Sequence, residues 1–231
     1  MPDAGADAWR LPRAARPARG TYAERVTSWS RTPASYAGSL VLLRHGETEW
    51  SKSGQHTGLT DIPLTERGED LARDTASLLK GRTFAAVLTS PLVRARRTAE
   101  LAGLDGAEVE PRLVEWDYGG YEGLTTPQIR ERVGYPWTVF HAGVVPGTTP
   151  GETIHDVAGR VRGVIDRILP LLEVGDVALV GHGHCLRVLA SVYLEQDPCF
   201  GAQLTLEAGS VSVLGQEHGL PALESWNQTP G

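Results

Sequence analysis

The stretch LVLLRHGETEW, residues 40–50, places an arginine and a histidine directly after an unbroken aliphatic run. Four aliphatic residues in succession predict a strand that is buried on both faces, as in a parallel sheet covered by helices. Arg44 and His45 would then lie where this strand ends. Gly46 would let the chain turn away close to a bound ligand. The strand is therefore predicted to present two polar side chains at an edge of the sheet.

The remainder of the chain alternates short apolar runs with amphipathic segments. Predicted strands lie at residues 40–43, 84–89, 107–110, 176–180 and 210–214, and predicted helices at 65–80, 91–103, 152–172 and 185–194. The helix at 91–103 carries a start signal, with Ser90 as N-cap and Pro91 at the first helical position. This alternation predicts an α/β domain with a mostly parallel central sheet. Residues 124–151, rich in Gly, Pro and Thr, are predicted to form a long loop, of the kind that often covers a binding site.

Length and composition indicate one ordinary globular domain. The chain has 231 residues, 41% hydrophobic and 22% charged, which is enough to bury a sizeable core. No apolar run approaches the roughly 20 residues that span a bilayer. The net charge of −6 argues against general nucleic-acid binding. Cys185 and Cys199, without a secretory leader, indicate a reducing compartment. We therefore expect a cytoplasmic protein with no nucleic-acid or membrane partner, and leave a homodimer open.

Residues 1–38 differ in composition from the rest of the chain. They hold six arginines against three acidic residues and show no sustained apolar periodicity. We interpret them as a flexible N-terminal extension, or as the product of a start codon placed too early, ahead of a domain at 39–231. An organelle transit peptide is the alternative, because such leaders are also rich in arginine and poor in acidic residues.

A second pair of histidines lies in the Gly-His-Gly-His turn at 181–184, directly after a predicted strand. In open α/β sheets, ligands bind outside the carboxyl ends of the strands, so His45 and His182 are predicted to share a site. Arg94, in the first turn of its helix, is expected at the same edge, where a helix N-terminus also favours an anion. Guanidinium groups match phosphate oxygens, so Arg44 and Arg94 beside two histidines indicate a phosphoryl pocket.

Phosphoryl transfer to water also needs a proton donor for the leaving oxygen. The segment LVEWDYGGYEGL, residues 113–124, offers Glu115, Asp117 and Glu122. Glu115 comes first after the apolar residues and is therefore expected closest to the strand end. We interpret the other two as loop carboxylates.

A metal site is the alternative use of these histidines. His182-x-His184 on a tight turn could bind zinc together with His45, but no clear further ligands converge. We interpret His184 as orienting its loop or His182. His56 is left open between a substrate contact and a surface role. Arg96 and Arg97 are expected to lie on a solvated helix face, paired with Glu100.

The motifs, in their order along the chain, resemble those of the histidine phosphatase superfamily, in its phosphoglycerate-mutase-like branch. The resemblance spans residues 40 to about 214 and rests on LLRHGETEW, TGLTDIPLTERG, SPLVRARRTAE, VEWDYGGYEGL, PGE and VGHGHCLRVLA. Within the superfamily the sequence is most similar to the sedoheptulose-1,7-bisphosphatase and actinobacterial acid-phosphatase branches. The resemblance implies a three-layer α/β/α sandwich and an enzyme without a metal cofactor.

The resemblance also implies a role for each site residue. His45 would be the nucleophile that becomes phosphohistidine, and Glu115 would protonate the leaving oxygen. Arg44, Arg94 and His182 would bind the phosphoryl oxygens, with His182 part of the catalytic set. Both arginines disfavour the imidazolium form of the nucleophile, which must be neutral to attack. The remaining predicted substrate-binding residues are Ser51, which stands where the family commonly has Asn, and Thr57 and Gly58.

These expectations combine into one predicted function. We expect a phosphatase that hydrolyses small phosphomonoesters, foremost sugar phosphates such as sedoheptulose 1,7-bisphosphate, without a metal or other cofactor. A cofactor-dependent phosphoglycerate mutase is one alternative, but it needs extra cations over the pocket, and residues 124–151 offer only Arg130, Arg132 and His141. A catalytically silent phospho-ligand binding module is the other. Such a module would be expected to have lost the nucleophile or the acid.

Overall fold

A six-stranded mixed sheet forms the centre of the molecule, which is described at residues 36–230 by a computed structural model. The strands are β1 (Leu40–Arg44), β2 (Phe84–Thr89), β3 (Glu108–Val109), β4 (Asp176–Gly181), β5 (Val211–Glu217) and β6 (Leu220–Gln228). They lie in the order β3-β2-β4-β1-β5-β6. The first four of this order are mutually parallel, whereas β5 pairs antiparallel with β1, and β6 antiparallel with β5.

Helices connect and cover these strands. They are α1 (Glu49–Ser53), α2 (Glu66–Leu79), α3 (Val93–Leu101), α4 (Thr126–Val133), α5 (Val139–Ala142), α6 (Ile154–Leu172) and α7 (Gly183–Tyr193). Short 3₁₀ turns lie at Pro111–Leu113, Gly119–Tyr121 and Pro198–Gln203. Three of the helices, α1, α4 and α6, begin with a capping box, in which a threonine hydroxyl and the side chain three residues later satisfy each other's backbone N–H.

The side chains of β1 alternate between two apolar layers. Leu40 and Leu42 join a cluster with the buried faces of α6 and α7, while Val41 and Leu43 join a second cluster with α2 and α3. All four are fully buried. Burying each such side chain contributes about 1.5–3 kcal/mol relative to leaving it in water. The unbroken aliphatic run thus forms a central strand with helices on both faces, which confirms the predicted α/β/α sandwich with a mostly parallel sheet.

One strand was absent from the predicted pattern. β6 is an edge strand, and Pro221 near its start, together with a mixture of polar and apolar residues, obscures the alternation by which strands are identified. Pairing with β5 supplies the partner that makes this segment a strand.

The segment 124–151, predicted to be a loop over the sheet, contains α4 and α5. Its Ile129, Trp137 and Phe140 are buried in the same cluster as the inner faces of α6 and α7. Gly and Pro mark the ends of these short helices rather than a continuous loop. This segment is therefore part of the core on one side of the sheet.

The predicted extension, residues 1–38, lies outside the described residues except at 36–38. There, Tyr36 N donates to Gln216 Oε1 at 3.2 Å, and Gly38 N donates to Leu172 O at 3.0 Å. The chain has thus joined the fold by residue 36. Between residues 36 and 230, no helix is long and apolar enough to cross a membrane.

Candidate active site

The pairing of β1 with β4 brings two histidines to one edge of the sheet. Arg44 lies opposite Gly181 in the parallel register, and His45 N donates to Gly181 O at 3.0 Å. His182 follows Gly181, so both imidazoles project from adjacent strand ends. Their ring centroids are 5.2 Å apart in an edge-to-face arrangement. The expectation that the two histidines share one edge is met.

His45 is held in one neutral tautomer. Its Nδ1 lies 2.7 Å from Gly46 O, and because a carbonyl oxygen only accepts, Nδ1 carries the hydrogen and Nε2 the lone pair. The side chain is buried. Burial, followed by the positive charges of Arg94 and Arg44, lowers the pKa of His45 well below its usual 6.5. The Nε2 lone pair is therefore free to attack an electrophile at neutral pH.

Arg44 packs beneath the start of α7. Its Nη1 donates to Leu206 O, and its Cζ lies 3.4 Å from the position that a Cβ on Gly183 would occupy. Its Nε is buried and is without a hydrogen-bond acceptor among the described residues. A buried donor without an acceptor costs about 1–3 kcal/mol. The guanidinium is thus incompletely satisfied in the ligand-free chain.

Arg94 is fully buried, and its guanidinium organises the loop at 57–60. Nη1 donates to Thr60 O at 2.9 Å, and Nη2 donates to Gly58 O at 2.9 Å and Thr57 O at 3.2 Å. The predicted substrate-binding residues Thr57 and Gly58 therefore contact Arg94 through their carbonyl groups. Nε donates to His182 Nδ1 at 3.2 Å, which ties the arginine to the second histidine.

The same contact fixes the tautomer of His182. Because Nδ1 accepts from Arg94, Nε2 carries the hydrogen, and it lies 2.6 Å from Ser90 Oγ. Burial and the neighbouring positive charge of Arg94 lower the pKa of His182 well below 6.5. His182 is therefore a neutral, buried imidazole with both nitrogens engaged.

This arrangement corrects the predicted start of α3. Ser90 is not the N-cap: the helix begins at Val93, and Leu92 occupies the cap position without a side-chain hydrogen bond. The Ser90 hydroxyl is committed to His182, although Leu92 N also donates to it at 3.3 Å. Asp61, from the preceding loop, accepts from Val93 N at 2.8 Å instead. The hydrogen bond between Ser90 and His182, a tertiary contact, thus replaces the N-cap role predicted for Ser90.

The Ser51 hydroxyl is used locally. It accepts from Thr48 N at 2.9 Å and donates to Thr48 O at 3.0 Å, as half of the capping box of α1. These bonds fix the start of the helix that follows His45. The predicted contact between Ser51 and substrate stays a prediction.

Glu115 sits at the N-terminus of α7. Its Oε1 accepts from Trp116 N and Cys185 N, both at 2.8 Å, and its Oε2 accepts from His184 N at 3.0 Å. A helix N-terminus is favourable for a carboxylate. Its charge also acts on Arg44 and Arg94, where it opposes the lowering of their pKa by burial. Glu115 thus belongs to the same electrostatic site as the two histidines.

Similarity to known proteins identifies the family of this chain. A sequence model of the histidine phosphatase superfamily, branch 1, matches residues 40–229. The chain belongs to this superfamily. It is 39% identical over 186 residues to an acid phosphatase of Mycobacterium tuberculosis, which covers 80% of this chain and 89% of the relative. It is 34% identical over 183 residues to sedoheptulose 1,7-bisphosphatase of Saccharomyces cerevisiae, which covers 66% of each chain.

Mutases and solved structures also match this histidine phosphatase. A 2,3-bisphosphoglycerate-dependent phosphoglycerate mutase of Azorhizobium caulinodans is 35% identical over 173 residues, covering 69% of this chain and 82% of the mutase. The solved structure of an open-reading-frame product from Mycobacterium tuberculosis has a TM-score of 0.79 at 37% identity, over 84% of this chain and 100% of the other. The family assignment made from the motifs is confirmed.

A wall of rings beside Glu115 was not predicted as a unit. The His56 ring centroid lies 4.8 Å from that of Tyr118, 5.4 Å from Trp137 and 5.7 Å from His184. Burial lowers the pKa of His56 to about 4 and that of His184 well below 6.5, so both imidazoles are neutral at pH 7. These residues come from four separate segments, and the sequence carries no signal that joins them.

His184 has a different partner from the one expected. Its Nδ1 lies 2.6 Å from the Tyr118 hydroxyl, so His184 orients the loop that carries Tyr118 and does not orient His182. Arg187, one helical turn later, stacks over Phe140 at 4.7 Å from the ring centroid and donates through Nε to Gly201 O at 2.8 Å. Arg187 follows His184 by three residues in the same helix, so the two side chains share a helix face. This spacing is the sequence signal that could have predicted Arg187 near His184.

The other acidic residues of the Glu115 segment bind backbone, as predicted for loop carboxylates. Asp117 accepts from Gly119 N at 2.9 Å, and Glu122 accepts from Gly58 N at 2.9 Å. Arg97 forms the expected surface pair with Glu100 at 3.1 Å, and a second pair with Glu69 at 2.9 Å that was not predicted. Across residues 36–230, no group of three or more His, Cys, Asp and Glu side chains is arranged to hold a metal ion.

Proposed function

We propose that this histidine phosphatase hydrolyses small phosphomonoesters through a covalent phosphohistidine on His45, without a metal ion. The observation that carries the proposal is the His45 tautomer. A buried Nδ1–H bonded to Gly46 O leaves the Nε2 lone pair available, and neighbouring arginines keep the ring neutral. A neutral imidazole with a fixed lone pair is a competent nucleophile toward phosphorus.

The phosphoryl oxygens would be bound by Arg44, Arg94 and His182, and His182 would exchange its Nε2–H bond to Ser90 Oγ for one to a phosphoryl oxygen. The Arg44 Nε–H, buried and unsatisfied, would gain an acceptor when an anion enters. Arg94, fixed by the loop at 57–60, would add charge with little reorganisation. Charge on the equatorial oxygens is what a phosphoryl-transfer site must stabilise, and fixed cations do this most effectively when water is excluded.

Glu115 would move the protons of both half-reactions. In the first, His45 Nε2 bonds to phosphorus, the ester P–O bond breaks, and the leaving oxygen takes a proton from Glu115. In the second, Glu115 accepts a proton from water, the water oxygen bonds to phosphorus, and the N–P bond breaks to release phosphate. Of the roughly four lone-pair positions of a carboxylate, three are occupied by backbone N–H groups. The remaining position is on Oε2, where the transferable proton would reside.

Sugar phosphates, with sedoheptulose 1,7-bisphosphate foremost, are the substrates we propose. Two neutral imidazoles, His56 and His184, would offer uncharged hydrogen-bonding groups on the Glu115 side of the site, through the ring nitrogens that are not bonded to Thr126 and Tyr118. Such groups suit a hydroxylated leaving group. A yeast relative at 34% identity bears the name sedoheptulose 1,7-bisphosphatase, which supports the same class.

The phosphoglycerate mutase alternative receives little support from residues 124–151. Arg130 donates through Nε to Trp137 O at 3.0 Å, Arg132 is exposed, and exposed His141 is paired through Nδ1 with Thr138 Oγ1 at 2.9 Å. A mutase must retain a bisphosphorylated intermediate, which calls for free cations over the pocket. The silent binding module is disfavoured because nucleophile, arginines and acid are present together.

A hydrolysis screen in the presence of a chelator tests the proposal. It compares sugar mono- and bisphosphates, 3-phosphoglycerate and an aryl phosphate, with His45→Ala as control. We expect release of phosphate that needs no divalent metal and is abolished in His45→Ala. Full activity of His45→Ala, strict dependence on an added metal, or interconversion of 3- and 2-phosphoglycerate that requires 2,3-bisphosphoglycerate would overturn it.

A further inference from the structure

An ion pair lies behind the Glu115 loop, in a place that the proposed chemistry does not use. Arg160 of α6 donates through Nε to Glu152 Oε1 at 2.7 Å and through Nη2 to Glu152 Oε2 at 3.0 Å. The side chains of Arg160 and Glu152 are only 14% and 22% exposed. A two-pronged pair of this kind fixes orientation as well as charge. Glu152 ends the Pro-Gly-Glu motif, for which the mechanism gives no role.

The third guanidinium nitrogen of Arg160, Nη1, contacts the segment that directly precedes Glu115. Nη1 donates to Val114 O and to Arg112 O, both at 2.7 Å. It also lies 3.4 Å from Cys185 Sγ. Val114 directly precedes Glu115, and Cys185 donates its backbone N–H to the Glu115 carboxylate. A single guanidinium therefore contacts both the segment that carries Glu115 and the helix that binds it.

Glu152 holds the chain on the other side. Its Oε2 accepts from Asp117 N at 3.0 Å, and its carbonyl oxygen accepts from Trp116 Nε1 at 2.8 Å. Its own N–H donates to Asp117 O at 2.9 Å. The residue before Glu115 and the two residues after it are thus bonded, directly, to one ion pair.

We propose that Glu152 and Arg160 are positioning residues that hold Glu115 where it can transfer a proton to the leaving oxygen. The inference rests on the proposed role of Glu115 as general acid. Proton transfer requires the donor within hydrogen-bond reach of the leaving oxygen, so a small displacement of the loop lowers the rate. The pair acts only through Glu115, and no contact with substrate is assigned to it.

The loss of activity caused by substituting Glu152 or Arg160 should depend on the leaving group of the substrate. This dependence distinguishes a positioning role from general structural support. Glycerol phosphate leaves as a strongly basic alkoxide and needs the acid, whereas p-nitrophenyl phosphate leaves as a weakly basic phenolate and needs it little. For Arg160→Lys and Glu152→Gln, we expect kcat/KM on glycerol phosphate, which reports the first half-reaction alone, to fall by about 10–100-fold, within the range that general acid catalysis supplies. On p-nitrophenyl phosphate we expect kcat/KM to change by less than about threefold.

Glu115→Gln provides the background for a double-mutant comparison. Glu115→Gln alone should show the same leaving-group preference in kcat/KM, and adding Arg160→Lys to it should lower kcat/KM little further, because both changes remove one function. Equal additional losses in the wild-type and Glu115→Gln backgrounds would overturn the positioning role. If Glu115→Gln itself loses no more activity on glycerol phosphate than on p-nitrophenyl phosphate, the proposed acid is wrong, which is a different failure.

Arg82 supplies a matched control. It pairs with Asp176 at 2.6 Å, with side chains 29% and 19% exposed, at the amino end of β4 and so at the edge opposite the site. Arg82→Lys should lower the melting temperature without any leaving-group preference. If Arg160→Lys does not fold, Glu152→Gln, which keeps the side-chain shape, carries the test. A uniform loss on both substrates, like that of a destabilised control, would contradict the proposal.

Discussion

His182 Nε2 lies 2.6 Å from the hydroxyl of Ser90, while its Nδ1 accepts from Arg94 at 3.2 Å. Both nitrogens of a fully buried imidazole are thereby satisfied, and the ring can take only one orientation and one tautomer. His45, 5.2 Å away between ring centroids, is fixed in the same way by Gly46. Two neutral rings held rigidly beside two arginines make a site that is preorganised for an anion.

Ser90→Ala should loosen this arrangement. The His182 Nε2–H would lose its acceptor while remaining buried, which is expected to lower the free energy of unfolding by about 1–3 kcal/mol. The freed ring should also lower kcat by about tenfold, which corresponds to 1.4 kcal/mol. Chemical denaturation and steady-state hydrolysis measure the two effects.

Ser212→Ala is the control for that variant. Ser212 is also a fully buried serine, whose hydroxyl accepts from Asn227 N at 2.9 Å near the start of β5, opposite Leu42 of β1. It should reduce stability by a similar amount and leave kcat unchanged. If Ser90→Ala retains full kcat at temperatures where it is folded, the hydroxyl has no role in orienting His182.

Arg94→Lys tests the buried guanidinium. A lysine keeps the charge but loses the fork that binds Thr60 O, Gly58 O and His182 together. We expect kcat/KM to fall by about 10²–10³-fold, the usual effect of removing one preorganised donor. Arg97→Lys, on the same helix and 42% exposed, should change kcat/KM less than twofold, since exposed ion pairs contribute about 0–1 kcal/mol. An unchanged kcat/KM in Arg94→Lys would show that only the positive charge at this position matters.

His56 should make stability depend on pH. Its pKa is lowered by burial from 6.5 in the unfolded chain to about 4 in the fold. Between these values the unfolded chain binds more protons, so stability is fully present above pH 6.5 and is lost as the pH falls toward 4. The shift corresponds to at most about 3 kcal/mol.

The measurement for His56 is a difference between two proteins. The free energy of unfolding of the wild type and of His56→Gln is determined at pH 7.5 and pH 4.5. Wild type should lose more stability than His56→Gln over this interval, because other titrating groups are common to both. An identical loss in the two proteins would mean that His56 titrates normally in the fold.

The sequence was most informative about the buried strands and the polar residues at their ends. The aliphatic run before Arg44 and the apolar run before His182 specify two central strands, and the position of each histidine follows from the strand end. β6 was obscured because an edge strand needs little apolar alternation and tolerates Pro221.

Tertiary contacts explain the other differences. Serine is a residue type that favours the N-cap position, but the Ser90 hydroxyl is hydrogen-bonded to His182, which is distant in sequence. Asp61, from another loop, accepts the hydrogen bond from the start of the helix instead. The wall of rings formed by His56, Tyr118, Trp137 and His184 depends on four segments of the chain meeting, and no local pattern encodes that meeting. Propensity and spacing describe a residue's neighbours in sequence, and these contacts join residues far apart.

In the proposed mechanism, His45 carries the phosphoryl group during turnover. The decisive experiment is rapid quenching of the enzyme with a ³²P-labelled substrate at alkaline pH, followed by peptide mapping. We expect one base-stable, acid-labile phosphate on His45, formed and lost at rates that match turnover, and absent from His45→Ala. Label on another residue, or turnover by His45→Ala at the wild-type rate, would contradict it.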